Sequence, residues 1–227
     1  MSKKNTAATI ATIIVAVLAI ATTLFLLYQT SQQQIQENQY NYVPSDEVNE
    51  EMNMNAVTLI KNNCEVFRIY LQYGLPHQAE PYNNVPEDGY YTVKSDSYKT
   101  FSDIETLVNS TFVGKEAKRI LTNINGDDVA VYAEETDDGN KGIGLDIKMV
   151  DENGRFKAIA YDYTWSNAKF TLHPKSNTEC DIIVELNPAE ETSSADTSSG
   201  SESGNTKKIT ANMLKVNGQW RLQKLVY

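Results

Sequence analysis

Residues 7–28 form an apolar run of 22 residues interrupted only by Thr9, Thr12, Thr22 and Thr23. A helix of that length rises roughly 33 Å, enough for a hydrocarbon core of roughly 30 Å, so the run predicts a transmembrane anchor. Its only N-terminal flanking charges are Lys3 and Lys4, and the next charge after it is Glu37. The positive-inside rule then keeps residues 1–6 as a cytoplasmic tail and exports everything after residue 28. The whole 227-residue chain carries a formal charge of -10, and with two lysines inside the exported part carries -12. That balance excludes a basic nucleic-acid binder, and a single run excludes a polytopic membrane protein. With only 2 cysteines the chain is no disulfide-stapled miniprotein. The alternative is a cleaved signal peptide and a secreted protein, since Ala19-Ile20-Ala21 has the small-x-small form. The uncleaved anchor is favoured because Leu24, Phe25, Leu26 and Leu27 continue the apolar run past that point.

Residues 29–44 are rich in Gln and Asn and read as a polar stalk that cannot bury enough surface to fold alone. Pro44 and Ser45 then open a helix, with Ser45 as N-cap, Asp46 and Glu47 at the positive end of the dipole, and Gly74 as the stop. Val48, Met52, Ala56, Ile60, Cys64, Phe67 and Leu71 recur every three or four residues as one apolar stripe. Such a stripe requires a sheet or other helices to lie on. Residues 75–89 hold three of the six prolines and read as a loop, followed by a short strand over 90–94. Ser102-Asp103-Ile104-Glu105 has the form of a capping box opening a short helix through Ile104, Leu107 and Val108. Phe112 and Gly114 break it, and a second short helix carries Ala117, Ile120 and Leu121.

From Asn125 the apolar period changes to two. Val129, Val131 and Ala133 alternate, then Ile143, Leu145, Ile147 and Met149, and Asn153-Gly154 predicts a hairpin into a strand over 156–165. Further strands are predicted over 168–173, 180–186 and 209–216, the last turning at Asn217-Gly218 into a strand with Trp220 and Leu222 on one face. Residues 187–206 (NPAEETSSADTSSGSESGNT) contain no large apolar residue and predict a disordered Ser-rich insertion. The 21 residues after it are too few for a domain, so they are expected to return to the sheet already begun. Residues 45–227 therefore predict one exported α+β domain. Its long amphipathic helix and two short helices pack on a curved antiparallel sheet of six to eight strands.

The residues that carry chemistry are sparse. Cys64 lies on the apolar stripe and Cys180 begins a core strand, so a disulfide and two buried thiols both satisfy the pattern, and burial makes Cys64 a poor nucleophile. His77 and His173 have no partners at metal-ligand spacing, and no phosphate-cradling or nucleophile-elbow motif is present. No cofactor and no metal site is expected, and hydrolysis would require Asp137, Asp138 and His173 to converge in one pocket. Glu134, Glu135, Asp137 and Asp138 cluster before Gly139-Asn140, but the alternation of a calcium loop fails at Lys141 and Gly142. They read as a solvated acidic hairpin loop that could serve in docking. Ile159, Tyr161, Tyr163 and Trp165 form an aromatic row on one face of the predicted strand, read first as core and second as a recognition patch. Glu134, Glu135, Asp137, Asp138, Tyr163 and Trp165 are the candidate partner-binding residues.

After the amphipathic helix come Tyr90-Tyr91-Thr92-Val93, Phe101-Ser102-Asp103-Ile104, Thr111-Phe112 and Ala117, and the chain closes on Asn217-Gly218-Gln219-Trp220. This order resembles the secreted IseA-type inhibitors of bacterial cell-wall D,L-endopeptidases and, more loosely, the cystatin or NTF2-like domains exported by Gram-positive bacteria. In residue types the resemblance covers 90–121 and 214–222. It implies a non-enzymatic domain that docks over the cleft of an NlpC/P60-type peptidoglycan hydrolase and blocks substrate entry. The anchor and the Ser-rich insertion depart from the secreted pattern, and no binding residue is carried over. The alternative from another class is an NTF2-like sensor or carrier with an apolar cavity under the long helix, ringed by Tyr161, Tyr163 and Trp165.

Overall fold

The computed structural model describes residues 42–77, 89–126, 129–137, 140–189 and 206–227. The tail 1–6, the anchor 7–28, the stalk up to residue 41, most of the loop 75–89, Asp138 and residues 190–205 of the Ser-rich tract lie outside the described residues. Among the described residues no helix is long and apolar enough to cross a membrane.

Helix α1 spans Asp46–Phe67 and opens as expected at Ser45, whose Oγ accepts from the Val48 amide at 3.4 Å, with Asp46 and Glu47 in the first turn. The stripe is buried at Met52, Ala56, Ile60 and Phe67, and it is wider than the sequence pattern, because Leu59, Asn63 and Val66 are buried beside it. The helix continues as a π-turn over Arg68–Gln72, in which the Tyr73 amide donates to Arg68 O at 2.8 Å. Gly74 ends it at φ +69, a conformation that side chains other than glycine adopt at a cost. Strand β1 (Tyr90–Thr92) comes next, then α2 (Phe101–Thr111) and α3 (Gly114–Asn123).

The capping box sits two residues before its expected place. Asp103 Oδ2 accepts from the amides of Thr100 and Lys99, both at 2.8 Å, so the helix starts at Phe101 and Ser102 lies inside it. The box is formed by Thr100 as N-cap and Asp103 three residues on, in place of Ser102 and Glu105, with one Asp103 oxygen taking two backbone amides. The Asp103 carboxyl is held below its ordinary range by those amide bonds.

Strands β2 (Tyr132–Asp137) and β3 (Asn140–Asp146) form a hairpin, and β1 pairs with β3, giving an antiparallel sheet in the order β1-β3-β2. The alternating run expected to continue through Met149 stops at Asp146. Residues Ile147–Met149 instead form a 3-10 turn, entered where Asp146 Oδ1 accepts from the Lys148 amide at 2.8 Å. The turn at Asn153-Gly154 exists, with Gly154 at φ +75, but the hairpin shrinks to one bridge, Val150 to Phe156. The next strand begins only at Tyr163, because Ile159 donates its amide to Leu71 O at 2.9 Å and binds the segment to the end of α1. Strand β4 (Tyr163–Ser176) then pairs with β5 (Glu179–Pro188), β5 with β6 (Lys207–Val216) and β6 with β7 (Gln219–Leu222), all antiparallel. Residues 190–205 thus connect two neighbouring strands, and the last two strands return to the sheet begun before them.

The architecture is α+β, three helices on curved antiparallel strands, with the strands hydrogen-bonded as two sheets of three and four. Helix α2 joins them, touching β2 and β3 of one sheet and β7 of the other. The Val113 amide adds a 2.9 Å bond to Leu222 O. Ile104, Val108, Ile120, Leu145, Ile182, Val184, Met213 and Leu222 are fully buried between these layers, and each such side chain contributes on the order of 1.5–3 kcal/mol. The final residues are clamped onto α1 and α3. Asn63 donates to Val226 O at 2.8 Å and accepts from the Val226 amide at 3.0 Å, while Glu116 Oε1 accepts from the Leu225 amide at 2.9 Å. Cys64 and Cys180 are free thiols, which decides between the two cysteine alternatives.

Candidate functional site

The expected partner-binding residues fall into two groups on different sheets. Glu134 and Glu135 lie on β2, in the three-stranded sheet, and Tyr163 and Trp165 on β4, in the four-stranded one. Asp137 ends β2 opposite Asn140, while Asp138 lies outside the described residues. Glu134 pairs with Lys141 across the hairpin at 3.0 Å, a half-exposed ion pair contributing about 0–1 kcal/mol. Glu135 Oε1 accepts from Thr92 Oγ1 at 3.0 Å across the central strand, where the register places Gly142 and Gly144 and hence no side chain between them. Its other carboxylate oxygen is enclosed with no hydrogen-bond partner among the described residues. Glu135 is therefore built into its sheet, and Glu134 and Glu135 stand on a different sheet from Tyr163 and Trp165.

The aromatic row does not lie on one strand. Ile159 and Tyr161 precede β4, and Tyr161, Tyr163 and Trp165 are half-buried against the core. Tyr161 packs on Phe67 of α1 with ring centroids 4.9 Å apart and on Tyr163 at 6.0 Å, and Tyr227 stacks on Phe67 at 5.3 Å. The Lys207 ammonium stands 5.2 Å from the Tyr161 centroid and 5.1 Å from that of Tyr163, within reach of the rings' negative faces. Burial pushes the Tyr161 hydroxyl up to about 12, with Cys64 and Tyr163 adding to the effect, and pushes the Cys64 thiol to about 12. The Tyr161 hydroxyl and Trp165 Nε1 are enclosed without hydrogen-bond partners among the described residues.

Beside these rings is a cleft of about 630 Å³, lined by Gln72 and Tyr73 from the end of α1, Tyr161, Tyr163, Thr164, Ser166 and Asn167 from the approach to β4, and Asn187, Pro188 and Ala189 from β5 and its exit. Two local features produce it. The π-turn ends α1 wide, and Tyr132 holds it there, its hydroxyl donating to Ile69 O at 2.7 Å and accepting from the Leu75 amide at 2.8 Å. On the other side the β4–β5 ladder breaks between Thr164 and Lys169, where β5 advances only from Asn187 to Glu185. The surplus residues bulge, with Asn167 at φ +59, a left-handed conformation that asparagine tolerates better than most. The cleft is not the apolar cavity expected under the long helix. It lies at the helix end and its lining is mostly amide and hydroxyl side chains.

The sequence pattern pointed to Tyr161, Tyr163 and Trp165 but missed Gln72, Tyr73, Asn167 and Asn187. The available signal was Ser166-Asn167, two turn-forming residues interrupting an otherwise β-prone run. His77 is a bridge residue, its Nδ1 2.9 Å from Leu75 O and its Nε2 3.1 Å from Gly154 O, and its place is explained by holding those two loops together. His173 lies in β4 opposite Asp181, in a different sheet from Asp137. No known family's sequence pattern matches the chain, and no characterised protein is significantly similar to it in sequence.

Proposed function

We propose that the described domain is a membrane-anchored extracytoplasmic binding domain that restrains a peptidoglycan D,L-endopeptidase of the NlpC/P60 type by covering its cleft. The observation that carries this is β4, a 14-residue strand at the edge of its sheet that no strand of the described residues pairs on the outer side. Such an edge accepts an extended segment of a partner through main-chain hydrogen bonds. Its N-terminal end carries Tyr163 and the neighbouring Tyr161 and Tyr73, the last 64% exposed, the residue type that anchors protein contacts. The charge of -12 on the outer side disfavours direct attachment to anionic polymers and supports a protein partner. A long helix laid across curved antiparallel strands supports the cystatin/NTF2-like likeness, and the order of elements after it supports the IseA-type one. Glu134 and Glu135, being on the other sheet, would form a separate contact. Added to cell wall under digestion by such an endopeptidase, the full chain should slow release of peptides at near-stoichiometric amounts. Unchanged digestion at large excess would sink the proposal.

A second reading, a small-ligand sensor or carrier domain, is favoured by one observation, the cleft beside Tyr161 and Tyr163. Its volume falls within the roughly 300–1,000 Å³ of small-molecule sites.

A further inference from the structure

We propose that the cleft at the end of α1 binds a neutral oligosaccharide, which rests on the small-ligand reading and names its ligand class. Among the described residues, the lining contains no acidic, basic or imidazole side chain. An ammonium group would find no counter-charge on those walls, and the cation beside them, Lys207, is already held over the Tyr161 and Tyr163 rings and at Tyr227 O, so an anion would have to draw it away from those partners. A wholly apolar ligand is equally disfavoured, because Gln72, Thr164, Ser166, Asn167 and Asn187 would lose water without gaining partners. What fits both kinds of wall is a molecule with an apolar face and a periphery of hydroxyl or amide groups. Pyranose rings have this form: their C–H faces lie against aromatic rings, and their equatorial hydroxyls pair with amide and hydroxyl side chains.

The cleft supplies the aromatic part from Tyr73, Tyr161 and Tyr163 and holds it in place. Tyr161 is wedged on Phe67 at 4.9 Å, Tyr163 meets Tyr161 at 6.0 Å, and Lys207 steadies both rings. Lys207 itself is directed to Tyr227 O at 3.3 Å. The polar part comes from the bulge, which lifts Ser166 and Asn167 out of the ladder with β5. Bulges occur disproportionately where a sheet is shaped for a ligand, and a left-handed asparagine is a conformation that surrounding structure must hold. The nearby Asn187 donates to Ser166 O only at 3.5 Å, leaving its amide available to a better acceptor.

The test is calorimetric titration of the full chain, in a sugar-free detergent, with tetra-N-acetylchitotetraose and cellotetraose, beside tetragalacturonic acid and an acetylated dipeptide amide. Saturable binding of at least one neutral tetrasaccharide is expected, with the acidic one at least about tenfold weaker. Asn167→Gly removes the amide while keeping the left-handed backbone, so it leaves folding intact and should weaken binding about fivefold to tenfold. Tyr163→Ala should weaken it by more than about tenfold, with thermal unfolding of each variant recorded alongside. Failure of both neutral sugars overturns the inference, as does binding that Asn167→Gly leaves unchanged. If the sugars fail while the dipeptide binds with the same sensitivity to Asn167→Gly, the small-ligand reading survives and the saccharide assignment alone falls.

Discussion

Tyr70 and Tyr132 meet edge-on with ring centroids 5.3 Å apart, both fully buried, yet their hydroxyls are opposite cases. Tyr132 bonds two backbone groups at the end of α1, whereas the Tyr70 hydroxyl has no partner among the described residues, and burial drives it well above its ordinary titration range. An enclosed hydroxyl without a partner costs about 1–3 kcal/mol, and a bonded one that is removed strands its partners at a similar cost. Tyr70→Phe should therefore leave stability to denaturant unchanged or raise it by about 1 kcal/mol, while Tyr132→Phe should lower it by about 1–3 kcal/mol. Equal losses from both would contradict the pairing. No property of the sequence distinguishes these two tyrosines, because the distinction depends on Ile69 O and Leu75 N arriving at one of them from about sixty positions away. The acidic residues show the same limit. Glu134, Glu135 and Asp137 read as one cluster, but alternate residues of a strand face opposite ways, and Glu135 turns to Thr92 while Glu134 turns to Lys141.

Helix α1 was legible in detail because its signals are local: a serine cap, two acids, an apolar period and a terminal glycine. The path of the chain beyond that glycine was not. A Cβ at Gly74 would stand 2.5 Å from Phe156 Cδ2, so the left-handed turn and the close approach of Phe156 both demand glycine there. Gly74→Ala should destabilise the protein by about 2–3 kcal/mol, measured by chemical unfolding, and a change under about 0.5 kcal/mol would show that neither constraint holds. The shift of the capping box belongs to this scale too. Thr100 and Ser102 each stand three residues before an acid, Asp103 and Glu105, and the helix takes the first pair, in which Asp103 accepts two amides. The strands were legible as strands, but the pattern of period two could not report where β3 stops or that the segment before β4 is captured by Leu71 O.

At the scale of the whole molecule, the division into two sheets was beyond the sequence because alternation marks a strand without naming its neighbour. What holds the parts together is in part electrostatic. Burial alone would raise the Glu116 carboxyl, but the bonds from Arg119 and the Leu225 amide outweigh it and leave it below its ordinary 4.5. Glu65 is likewise lowered, first by Arg68. Groups depressed in the folded state stabilise it above their unfolded value and lose that contribution as pH falls through the lower folded value. Glu116→Gln should thus cost about 1–2 kcal/mol at pH 7, with the gap from the parent closing as pH falls below the ordinary 4.5 and through the lower folded value. A gap independent of pH would assign Glu116 a packing role only. The proposed function meets its most direct test in steady-state kinetics of an NlpC/P60 endopeptidase on a soluble D,L-peptide, with increasing amounts of the full chain present. Occlusion of the cleft predicts a KM that rises with the chain's concentration while kcat stays fixed. Both constants unchanged at large excess, or a fall in kcat at constant KM, would contradict it.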